Sequence, residues 1–128
     1  MSGSAAASWL RREMMGPLLT GLEPAAGPGG ERERLARRWL ELTRRVLPGM
    51  AVAQGWPICR DHCFMRVCLD NALGRPWYEV VRRPAIRWLG LHQLRAAVGV
   101  AEGIVVEPWT LPELNEASLG WRRGARHR

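Results

Sequence analysis

Lysine is absent from this 128-residue chain, and every one of its 19 basic residues is arginine. Phenylalanine and tyrosine occur once each, and cysteine three times. No uninterrupted apolar run approaches the ~20 residues of a membrane span. A secretory signal places charge before an unbroken apolar stretch. Here Trp9-Leu10 precede Arg11-Arg12-Glu13, and Gly16-Pro17 follow Met14-Met15 directly. Strand signals are thin, since Ile104-Val105-Val106 is the only run of three β-branched residues, too little for a sheet. The expectation is a chain that is neither secreted nor membrane-spanning and has no β-core.

Cys59, Cys63 and Cys68 lie within ten residues. An odd, clustered set is a poor disulfide framework, so they read as reduced thiols of a cytoplasmic protein. With His62 they make a C-x2-H-C-x4-C spacing, and imidazole with thiolates is zinc chemistry. The ligands nevertheless crowd one helix start, where neighbours His62 and Cys63 diverge by about 100°. Buried apolar thiols are the expectation, with no metal and no cofactor. Catalysis by a nucleophile finds little support. There is no Gly-x-Ser-x-Gly turn and no pair of carboxylates on one face, and sequence neighbours His62 and Cys63 cannot face each other on a helix.

What is abundant is apolar surface and positive charge. The 47% hydrophobic content suits a globular domain, and the net charge of +7 favours an anionic partner. Ala, Gly, Pro and Arg are enriched together, as a GC-rich coding sequence would produce, which accounts for part of the arginine excess. Residues 1–30 are rich in Ala, Gly and Pro and read as a flexible N-terminal segment. A start assigned too early explains that segment equally well. Residues 31–123 read as the helical domain and 124–128 as a basic tail.

Within the domain, Leu35, Trp39, Leu42 and Val46 recur at helical spacing, with Ala36, Leu40 and Leu47 widening the stripe. Pro48-Gly49 is expected to end or kink that helix. A connector from Ala51 to Arg60 follows. Asp61 reads as an N-cap, and His62 to Leu73 as a helix closed by Gly74. That helix is apolar nearly all round and should be buried on most sides. Short helices are expected at Pro76 to Val81 and Pro84 to Leu89, and a longer one at His92 to Val106, with Leu91, Leu94, Val98, Ala101 and Val105 on its stripe. Thr110 with Glu113 predicts a capping box, and Trp109 a staple onto Leu114. The fold class is therefore all-α: a single domain of about five helices around the buried 62–73 helix.

The stretch Asp61-His62-Cys63-Phe64-Met65-Arg66, followed by Asp70-Asn71, Gly74, Trp77, Pro84-Ala85, Leu89 and Gln93-Leu94, resembles a family of small bacterial proteins. The resemblance spans about Trp39 to Trp121, and some members carry the label of a GNAT-type acetyltransferase. An acetyltransferase of that type needs a strand-rich core and a glycine-bearing pyrophosphate loop. Arg122-Arg123-Gly124-Ala125 is the nearest approach, and the Asp-His-Cys-Phe core says nothing of the chemistry.

Two groups of residues are candidate sites. On the otherwise apolar central helix, His62, Arg66 and Asp70 fall on one line at i, i+4 and i+8, with Asn71 beside them. Such a line faces a cleft or pairs internally, because a lone buried charge is costly. Histidine can shuttle protons near neutral pH and arginine can grip a carboxylate or phosphate, while the structural alternative is a network to Tyr78 or Gln93. The second group is Arg82, Arg83, Arg87 and Trp88 with nearby Trp77, and a further basic run at Arg122 to Arg128. Guanidinium and indole planes grip phosphates and stack on bases, whereas a solvated charged face is the plainer reading. The leading expectation is a binding or accessory module with a basic surface for nucleic acid or an acidic protein. The runner-up is a small enzyme or small-molecule binder at His62, Arg66 and Asp70, associated with acetyltransferase chemistry through the resemblance. A pure protein-interaction adaptor is a third.

Overall fold

The computed structural model describes residues 30–126; the Ala/Gly/Pro-rich segment before Gly30 lies outside them. The described residues form an all-α single domain of five helices without a strand, counting the first rod as one helix. That rod consists of α1 (Glu31–Glu41), a π-helical turn (Leu42–Val46) and α2 (Leu47–Gln54). Then come α3 (Asp61–Leu73), a 3₁₀ turn (Trp77–Glu79), α4 (Ala85–Trp88), α5 (Leu91–Val106), a 3₁₀ turn (Pro108–Thr110) and α6 (Leu111–Arg126).

Of the two expectations for Pro48-Gly49, an end or a kink, the first fails: the helix does not end there. A helical proline lacks an N–H and collides with the carbonyl four residues back, here that of Arg44. The wider π turn lies immediately before it, and Leu47 N–H reaches Leu42 O across five residues. The helix therefore passes through Pro48 and stops at Gly55, whose φ of 65° suits the left-handed cap. The extra residue in the π turn also shifts the buried stripe. Leu35, Trp39, Leu42, Thr43, Leu47 and Ala51 are buried, while Val46 is only half-buried. Buried Thr43 satisfies its hydroxyl by donating to Trp39 O at 2.9 Å.

Central α3 packs against α5, α6 and the π turn. Phe64, Val67, Cys68 and Leu69 are buried there, against Leu94, Ala97, Val98, Ala101 and Ile104 of α5 and Leu111 of α6. Arg60, not Asp61, occupies the N-cap position, and Gly74 closes the helix at φ 75°. Alongside α1, α5 runs parallel: Glu31 pairs with Arg95, and Arg38 with Glu102. The N-terminus of α5 is capped by Gln93, whose Oε1 accepts the Gly90 N–H at 2.9 Å.

Three local expectations fail at the margins. Thr110 sits in a 3₁₀ turn and its hydroxyl donates to Glu107 O at 2.8 Å, so the chain enters α6 through that turn. Trp109 is 71% exposed and does not act as a staple. Gly124, Ala125 and Arg126 continue α6 beyond the expected domain end at Arg123.

Candidate functional site

The polar residues of α3 meet those of α6 in a buried network. Asp70 is fully buried and Ser118 beside it likewise. Asp70 Oδ2 accepts from the Ser118 hydroxyl at 2.7 Å and from Arg122 Nε at 2.8 Å. Its Oδ1 accepts the Trp77 backbone N–H at 2.9 Å and a second Arg122 bond at 3.3 Å. Arg66 does not pair with Asp70, four residues on. It donates to Ser118 Oγ and to Asn115 Oδ1, both at 2.8 Å. Ser118 thus links the two, accepting from Arg66 and donating to Asp70. Asn71 ties the same helices together by donating to Val67 O at 2.8 Å and Leu114 O at 3.0 Å. Among the described residues no buried side-chain N or O is left without a partner.

His62 stands apart from this network. Its side chain is 70% exposed, and its nearest carboxylate is that of Asp61, 3.8 Å away. Eight residues of helix separate it from Asp70, about 12 Å along the axis. The structure therefore brings Arg66, Asp70 and Asn71 together and leaves His62 outside. Of the two partners expected for a structural network, Tyr78 is reached through Arg122 and Gln93 is not, because its side chain caps α5.

The second candidate group pairs arginines with aromatic rings along the segment from Trp77 to Trp88. Arg83 lies over the Trp77 ring at 5.0 Å, and Trp77 meets Tyr78 edge-on at 6.4 Å. Arg122, held by Asp70, lies over Tyr78 at 5.2 Å. Arg82 lies over Trp88 at 5.0 Å. Trp88 is 48% exposed and Tyr78 42%, and Arg82, Arg83 and Arg87 are all exposed. Stacking occupies the flat faces of a guanidinium and leaves its in-plane N–H donors available. Arg38, Arg45, Arg95 and Arg122 form ion pairs with carboxylates.

Asn115, Ser118 and Arg122 were not anticipated as a set. Their signal was present: spaced by three and four, they form a polar stripe on the face of α6 that meets α3. Arg122 was read instead as the start of a basic tail.

The cysteines do not converge. Cys59 is exposed, Cys63 half-buried and Cys68 buried. Burial pushes the Cys68 thiol up to about 12, so it stays protonated. Among the described residues no group of three or more His, Cys, Asp or Glu side chains is placed to hold a metal.

No protein-family model, no curated protein and no solved structure matches the chain.

Proposed function

We propose that this domain is a non-catalytic binding module whose Arg82, Arg83, Arg87 and Trp88 face meets an anionic macromolecule. One observation carries the reading: two exposed cations of that face, Arg82 and Arg83, rest on the rings of Trp88 and Trp77. Arg38, largely withdrawn from water, is by contrast neutralised by Glu102 at 2.8 Å. The net charge of +7 draws a polyanion to the same surface. Three free thiols support a place in the cytoplasm.

Salt-dependent retention tests this directly. The protein should bind immobilised heparin or nucleic acid at low salt and elute as salt rises, because phosphate contacts release counterions. Combined Arg82→Ala and Arg83→Ala substitution should weaken retention and flatten its salt dependence while the helical signal stays intact. Passage of the wild type through such a column unretained at low salt would refute the proposal.

A further inference from the structure

The anionic partner can be narrowed, on the reading that this face binds one at all. We infer that it takes single-stranded nucleic acid, gripping phosphates with Arg82, Arg83 and Arg87 and stacking bases on Trp88 and Tyr78. Along the chain, Tyr78, Arg82, Arg83, Arg87 and Trp88 are all exposed and answer the two chemistries that a flexible polynucleotide presents, charge along the backbone and flat π-surfaces at the bases. Trp88 keeps about half of its surface in solvent although Arg82 lies over its ring, and Tyr78 nearly as much. Exposed rings gain little from an acidic peptide, whose carboxylates need only the guanidinium forks. They gain a good deal from an unpaired base.

The backbone argues against a duplex. Reading a major groove takes a helix or a two-stranded ribbon laid along it. The helix in this segment, Ala85–Trp88, is four residues long. What the segment offers is a short irregular platform from Trp77 to Trp88, fastened to the domain through Asp70. That carboxylate accepts the Trp77 N–H and holds Arg122, which lies against Tyr78, and Arg32 donates to Ile86 O and Leu89 O at the other end, so both ends of the platform are tied to the domain before any ligand binds.

Fluorescence anisotropy with three probes decides the matter: a dye-labelled oligothymidylate of about ten nucleotides, within the usual range of single-strand sites, a duplex of that length, and a polyglutamate peptide of equal charge. The oligothymidylate should bind most tightly. Trp88→Leu keeps apolar bulk without a π-face and should weaken it by at least about five-fold. Tyr78→Leu should act in the same direction, and it carries the test alone if Trp88→Leu disturbs the helical signal. Polyglutamate affinity should be indifferent to either change. Equal or tighter binding of the duplex or the peptide would overturn the inference and leave the broader anion-binding reading standing, as would oligothymidylate affinity unaffected by both substitutions. Absence of binding to all three probes would overturn both.

Discussion

Arginine is used in two opposite ways on the two sides of the Trp77–Trp88 segment. On one, Arg66 and Arg122 enter the α3–α6 interface and meet oxygens of Asp70, Ser118 and Asn115, with Arg122 also reaching the Tyr78 ring. On the other, Arg82 and Arg83 remain in solvent and meet rings. The difference follows from dielectric. A charge taken out of water needs a partner that returns the lost hydration, and a fully buried carboxylate with hydrogen-bonded neighbours is such a partner. A charge left in water needs none, so a ring can orient it while its field stays unneutralised. Where the charge is cancelled the molecule gains a fixed helix interface; where it is kept, it gains something with which to attract a polyanion.

The contrast would be broken most directly at Asp70. Replacing Asp70 with Ala leaves Arg122 and Ser118 without their acceptor and should cost roughly 3–5 kcal/mol, read from urea unfolding. Buried Cys68, two residues away on α3, reports the same event: its labelling by a thiol reagent should be slow in the wild type and much faster in the variant. Arg66→Ala should be milder, about 1–3 kcal/mol, because the partners it abandons, Ser118 and Asn115, are neutral. If the two substitutions cost the same, the carboxylate is not the centre of the network.

Smaller still in stability, and larger in function, is the pair on the other side. Combined Arg82→Ala and Arg83→Ala should cost no more than about 1–2 kcal/mol, the worth of two exposed stacked pairs. It should also lower the salt slope of polyanion binding by about two. A cost as large as that of Asp70→Ala would show that the exposed face is structural after all.

The smallest effect is a sharpening one, at a third arginine cluster. Glu41 accepts from Arg38 at 2.6 Å and from Arg45, and the Arg38 guanidinium chiefly holds its carboxyl below the ordinary 4.5. A depressed folded-state value means that the contribution is fully present above the unfolded value. It is lost as pH falls through the folded value. Glu41→Gln should therefore leave neutral stability almost unchanged and make the decline in melting temperature on acidification, below about pH 4.5, slightly shallower. The carboxylate is well exposed, and solvent screening keeps the change small.

Helix class, the central position of α3 and most of the core were legible because hydrophobic period is a local property. Leu35, Trp39, Leu94, Val98 and Ala101 all fall where the spacing puts them. The continuation of the first helix past Pro48 was not legible, since a proline that normally breaks a helix can be carried by a π turn, and nothing local announces that turn. Val46 was placed in the core and Leu47 beside it for the same reason; one extra residue per turn exchanges their positions.

By itself the sequence determined that this chain builds helices, that residues 62–73 lie at their centre, and that it carries a net charge of +7. It also showed a polar line on α3. Only the tertiary structure decided what that line meets. Asp70 pairs with Arg122, 52 residues away, and not with Arg66 one turn before it. Local spacing offers a pairing, but burial decides whether that pairing can satisfy every lone pair of a carboxylate. Four hydrogen bonds, one from the Trp77 turn and three from the neighbouring α6, do so here, and they leave His62 in water at the far end of α3.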